Sequence, residues 1–179
     1  MPDLSLLATP APYHILSYGT LLGTQMFQSF VGGIVAYKAL PRPQFASLQQ
    51  AIFPVYFAMT TALPVVLALT YPSDRGNGGL GGSLLAESKS TALVPIGVMF
   101  ATSLVNWVAL GPATTKVMRE RKHQETRDGK KSYDAPPHSK EMMRLNRKFG
   151  MLHGASSAIN MVGLLATVWY GVCLSERMR

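Results

Sequence analysis

Four stretches of the chain, 15–37, 51–71, 92–110 and 152–174, are apolar almost throughout and hold no Asp, Glu, Lys or Arg. Each has about the 20 residues that a helix needs to cross a hydrocarbon core of roughly 30 Å. The polar residues inside them line up at helical spacing, not in strict alternation, so the pattern predicts helices; a barrel would need many shorter alternating segments. Gly32, Pro64, Pro95 and Gly163 fall inside the stretches. They would weaken a soluble helix, but in a membrane neighbouring helices satisfy the freed backbone groups. The expected fold is all-α, an integral membrane four-helix transmembrane bundle forming one domain over 1–179.

Charged residues make up 15% of the chain against 47% hydrophobic, and they gather between the stretches. Lys38 and Arg42 lie in the first connection, 38–50, and eleven more basic residues lie in the third, 111–151. The second connection and the C-terminus together hold four. By the positive-inside rule the first and third connections face the cytosol and both termini are luminal or extracellular. Membrane topology thus accounts for the net charge of +8, and no nucleic-acid partner is expected. The opening MPDLSLLATPAPYH holds no Lys or Arg, so it lacks the basic region of a cleaved leader and the first stretch is expected to remain as a span. No retrieval, lipidation or glycosylation signal selects a membrane; the endomembrane system or plasma membrane is favoured.

The third connection does not read as a simple loop. TTKVMRERKHQE is rich in helix formers, with Lys116 and Glu120, and Arg121 and Glu125, at the spacing of helical surface pairs. DGKKSYDAPP then breaks the helix, and Ser139 is placed to cap a new one that continues into the fourth span. A basic, partly helical cytoplasmic connection between spans 3 and 4 is therefore expected. Its Arg119, Arg121, Lys122, Lys130, Lys131, Arg144, Arg147 and Lys148 form a candidate surface for anionic lipids or an acidic partner. The second connection, 72–91, reads as a Gly-rich luminal loop. Its GNGGLG satisfies G-x-G-x-x-G, yet no strand precedes it and no dinucleotide-binding fold surrounds it.

GTQMFQSFVGGIVAYKALPRPQFASLQQAIFPVYF, NWVALGPATTKVMRER and RKFGMLHGASSAINMVGL occur in this order. In order and spacing they resemble the eukaryotic transmembrane protein 205 family, small four-span proteins of unknown function. The specific parts are the LPR turn at 40–42, FP-x-YF at 53–57 and HG-x-SS at 153–157. The resemblance implies an integral membrane protein of four helices and no catalytic residues. This sequence departs from the family pattern at Gly111 and Ala113, where charged residues are expected to flank the proline.

Within the spans, Gly19, Gly23 and Gly33 share one helical stripe of the first, a small-residue face suited to close helix packing. Gly150 and Gly154 repeat that spacing at the start of the fourth. Gln25 and Gln28 lie on a second stripe of the first span; His153, Ser157 and Asn160 align in the fourth, and Thr102, Asn106 and Ala109 in the third. Polar residues in a span should face protein or water, so Gln25, Gln28, Asn106, His153, Ser157 and Asn160 are expected to form an intramembrane polar cluster. With a rise of about 1.5 Å per residue, Gln28, Asn160 and Asn106 fall about 3, 4.5 and 7.5 Å to the cytoplasmic side of the midplane. Two arrangements suit that layer. It is either an interhelical hydrogen-bond cluster or a polar vestibule with His153 at its mouth.

The spans carry none of the charged groups that mark proton relays, ion coupling or carboxylate-based hydrolysis. Ser157 and His153 are helical neighbours but have no orienting acid. His14 and His153 begin opposite ends of the bundle, about a membrane thickness apart, and cannot be paired haem ligands. Cys173 is the only cysteine, so a cysteine metal site is ruled out. No cofactor, metal or enzymatic activity is expected. The expected role is a multi-pass scaffold or membrane-organising component in the lipid bilayer, binding other membrane proteins or a second copy of itself. A small-solute transporter or channel built as a homo-oligomer is the alternative.

Overall fold

The computed structural model describes residues 4–71 and 92–176, which are helical almost throughout and include no strand. The Gly-rich loop expected at 72–91, with its GNGGLG, lies outside the described residues. After a short 3-10 turn at Leu4–Ala8, α1 runs over Pro10–Phe27, a π turn over Gln28–Gly32 and α2 over Gly33–Ala39. Then come α3 at Arg42–Leu69 and α4 at Val94–Val105, a second π turn at Asn106–Leu110, α5 at Gly111–Asp128 and α6 at Lys140–Glu176. Three helical runs are long and apolar enough to cross a membrane: Arg42–Leu69, Val94–Asp128 and Lys140–Glu176. The first run is not one of these three; like Val94–Asp128 it contains a π turn.

Helix starts and stops follow local chemistry. Pro41 precedes α3 in an extended conformation, and Pro43 sits in its first turn, where a missing N–H costs nothing. Pro54 and Pro64 lie inside the same helix. Thr60 and Thr61 turn their hydroxyls back to the Phe57 carbonyl at 3.4 and 2.7 Å, keeping them off the apolar surroundings. The second π turn immediately precedes Pro112, whose ring crowds the carbonyl four residues back. A wider turn relieves that crowding. It also brings the Asn106 carbonyl onto the Gly111 N–H, so that a Cβ at 111 would stand 2.7 Å from that oxygen. Only glycine leaves the room, which accounts for the residue where the resemblance led us to expect charge.

The helices alternate in direction. α4 packs against α3 and α6, while α1 touches α3 and α6. The apolar core gathers at the end where α1 begins and α3 and α6 finish, around Leu21, Leu67, Ile96, Met99, Tyr170 and Leu174. Outside, the surface is apolar: Leu16, Val108, Leu165 and Trp169 are 67%, 61%, 61% and 59% exposed. Inside lie His14, Gln25, Gln49, Thr60, Ser103, Asn106 and Thr167. Polar within and apolar without is the distribution of a membrane protein.

At the other end α5 and the start of α6 form a hairpin. Gly129 closes α5 with φ 60°, a left-handed conformation that glycine adopts freely. Ser139 caps α6 as expected, its Oγ accepting the Met142 N–H at 3.1 Å while donating to Asp128 at 2.7 Å. Val117, Met142 and Leu145 are buried in the hairpin. Arg121 and Glu125 stay within electrostatic reach of each other as expected, but their hydrogen bonds go to other residues of the hairpin. Arg121 Nε donates to Asn146 Oδ1 at 2.9 Å, and Glu125 accepts from the Ser132 N–H and hydroxyl at 3.0 and 2.6 Å.

Candidate functional site

The amides expected to share one layer do reach the inside of the helix cluster, but they do not bond to one another. Asn160 sits between two helices, accepting from the Tyr56 hydroxyl at 2.8 Å and donating to Ser29 Oγ at 3.3 Å. Gln28 Nε2 donates to Gln49 Oε1 at 3.5 Å, the long limit of a hydrogen bond. Asn106 Nδ2 donates to the Ser156 carbonyl at 3.3 Å. Gln25 is fully buried near Thr102 and Gly163. Its Oε1 and the Oδ1 of Asn106 have no partner among the described residues, and each buried unpaired acceptor costs about 1–3 kcal/mol. His153 and Ser157 stay outside, the imidazole stacked on Phe149 with centroids 5.6 Å apart.

The π turns explain part of this difference. Each adds a residue to one turn and rotates everything beyond it by about 100° relative to a regular helix. The stripe through Thr102, Asn106 and Ala109 therefore goes out of register: Asn106 is buried and Ala109 is exposed. In the first run, Gly33 opens α2 just past the π turn, and a Cβ placed there would meet only the Gln28 carbonyl of the same run, at 3.7 Å, and no neighbouring helix. Gly19, Gly23, Gly150 and Gly154 are exposed, with nothing within 4 Å of a Cβ placed there. The close approaches fall at Gly163, where a Cβ would meet the Thr102 hydroxyl, and at Gly171, where it would overlap that of Tyr18.

A second polar cluster was not expected. His14, 1% exposed, bonds through Nδ1 to Thr70 Oγ1 at 3.0 Å and through Nε2 to the Tyr170 hydroxyl at 2.7 Å. Thr70 donates to the Val66 carbonyl at 2.7 Å, so its oxygen is left to accept from Nδ1–H. Tyr71 stands edge-on to the imidazole and Tyr18 to Tyr170, each at 6.0 Å. The sequence signal was available: alternating helices bring position 14 level with the ends of the second and fourth spans, where Thr70, Tyr71 and Tyr170 stand.

On the hairpin, Lys130 donates to the Pro137 carbonyl at 2.8 Å, Lys131 lies 3.8 Å from Glu125, and Arg144 is bound to Glu141 at 2.6 Å. The Arg121 guanidinium covers the Phe149 ring at 4.5 Å. Arg119, Lys122, Arg147 and Lys148 are exposed, and their charged ends have no hydrogen bond or ion pair among the described residues. Among these residues no His, Cys, Asp and Glu group could hold a metal.

A family model described as a domain of unknown function, DUF4149, matches residues 16–123. The chain belongs to the DUF4149 family. The matched segment holds Gln25, Gln28, Gln49 and Asn106, and ends within α5; α6 lies beyond it. The DUF4149 chain is also similar, along most of its length, to xanthocillin biosynthesis cluster protein D of Aspergillus fumigatus: 34% identical over 171 residues, 93% of this chain and 90% of the relative. No solved structure matches the DUF4149 chain.

Proposed function

We propose that the protein is a four-span membrane scaffold, non-enzymatic, that presents a basic helical hairpin to an acidic partner protein in the cytosol. The hairpin carries this reading. It has its own buried apolar residues and polar clamps, which fix the backbone positions from which its charges project. Asn106 bonds Ser156, four residues inside Leu110 and Leu152 respectively, which makes Leu110 and Leu152 a common base for the hairpin. From there α5, 18 residues long, extends about 27 Å. Charges near headgroups act over about 10 Å. Lys116, Arg147 and Lys148 lie within that distance of the base and suit anionic lipid. Arg119 and Lys122, about 13 and 18 Å out, suit a soluble partner.

The fourth span is the first helical run. It is uncharged over 15–37, and its Ser29 meets Asn160 as a membrane-deep neighbour would. The resemblance to the transmembrane protein 205 family favours the same count, and the excess of basic residues favours a cytosolic hairpin with luminal termini. The Aspergillus relative is named for a biosynthesis cluster; a scaffold for a biosynthetic enzyme would accord with that name.

The test separates the two tiers. Arg119→Glu with Lys122→Glu should lose the proteins that purify with the full-length chain in mild detergent while keeping its preference for phosphatidylserine vesicles. Arg147→Glu with Lys148→Glu should do the reverse. Unchanged recovery in the first variant would remove the partner reading.

A homo-oligomeric path for a small solute is the second reading, favoured by Gly19 and Gly23, whose face is open. Gly19→Leu with Gly23→Leu should then reduce the assembly to single chains in detergent. An unchanged size would end it.

A further inference from the structure

We infer that the crevice between the first helical run and α3 binds an uncharged, bilayer-dissolved molecule with an apolar body and one hydroxyl. Two adjoining hollows of about 530 and 560 Å³ share Phe27, Gln28 and Ile52. Both are largely apolar and open to the surroundings of the helices, so a small molecule would lie partly in the hydrocarbon, with a few polar groups to fix its orientation. Here those groups are Gln28, which lines both hollows, Gln49 in the first, and Thr24 and Tyr56 in the second, the Tyr56 hydroxyl being already engaged by Asn160. No charged residue lines either hollow, so an ion has no counterpart there.

The amide pair specifies the polar group. An amide side chain offers two donors and an acceptor with two lone pairs. Gln28 and Gln49 spend one donor and one acceptor on their single 3.5 Å contact. Gln28 Oε1 and Gln49 Nε2 have no further partner among the described residues. An amide group shielded from water and left without a partner is costly. One hydroxyl can give its proton to Gln28 Oε1 and accept one from Gln49 Nε2.

Depth narrows the class. The Tyr37 ring stands edge-on to Phe45 at 5.3 Å under the Arg42 guanidinium, 3.9 Å from its centroid. An aromatic ring joined to a cation is the usual marker of a bilayer edge. Gln28 lies nine residues before Tyr37, about 13 Å deeper along the helix. A phospholipid keeps its polar group at the edge and cannot bring it to that level. A molecule dissolved wholly in the hydrocarbon can. This depth rests on the proposal that the first run crosses the membrane.

The probe is a long-chain secondary alcohol with a mid-chain hydroxyl and a terminal diazirine, compared with the same chain lacking the hydroxyl. Both are photolysed with the full-length protein in phosphatidylcholine nanodiscs. The alcohol should label peptides of the crevice at least about fivefold more than the hydrocarbon, the weight of one of its two neutral hydrogen bonds. That preference should vanish in Gln28→Leu with Gln49→Leu. Ile52→Trp, which fills the junction and keeps both amides, should abolish labelling by either probe. Equal labelling by the two probes in the parent protein means bulk lipid only and overturns the site, as does a preference that survives loss of both amides. A membrane-impermeant maleimide on Thr24→Cys, in a Cys173→Ser background, should not react. Reaction would place the crevice in water and remove the four-span reading as well.

Discussion

Both nitrogens of His14 reach partners on other helices, whereas about 16 Å along the same run the Gln25 amide oxygen is buried with none. The first cluster ties α1 to the ends of α3 and α6, and it sits beside the apolar core. The second level holds more polar groups, yet it leaves Gln25 Oε1 and Asn106 Oδ1 unpaired. Hydrogen-bonding groups in an apolar surrounding stabilise only when completed; incomplete ones subtract. By that measure the His14 end locks the bundle, and the amide level weakens it.

The contrast can be broken by substitution, with stability read from reversible unfolding in detergent. His14→Ala should be the most damaging, by about 3 kcal/mol, because it opens a cavity and strips Thr70 and Tyr170 of a buried partner. Gly111→Ala should cost about 2 kcal/mol through overpacking against the Asn106 carbonyl, and a larger residue there should cost more. Tyr56→Phe should remove about 1 kcal/mol by taking a donor from Asn160. Gln25→Leu should raise stability by about 1 kcal/mol, since it removes a buried acceptor left without a partner among the described residues. A Gln25→Leu loss as large as that of His14→Ala would erase the difference between the two levels.

Features set by neighbours in the chain could be read from the sequence. Gly129, the following prolines and the Ser139 cap placed the hairpin turn, and the uninterrupted apolar run placed α6 through to the far end. That Gln25, Gln28, Asn106 and Asn160 turn inward also followed, because an amide in hydrocarbon is costly wherever the helix lies. Their partners did not follow. Pairing depends on rotation and register between helices, and two π turns alter the rotation part-way along two of them. His153 and Ser157 show the same limit: helical spacing aligned them with Asn160, while the packing of α6 left both exposed. The Gly19 and Gly23 stripe was legible as a pattern, but spacing does not say which helix would cover it.

One feature of α6 has a mechanical side. Its 37 residues run without a proline or a π turn from Lys140 to Glu176, a rod of about 55 Å. A rod has no joint in which to absorb a load. A pull that tilts the rod by about 5° about its hairpin end carries Tyr170, about 45 Å away, through about 4 Å, and Tyr170 holds His14. Force applied at one face of the protein therefore arrives at the other as displacement.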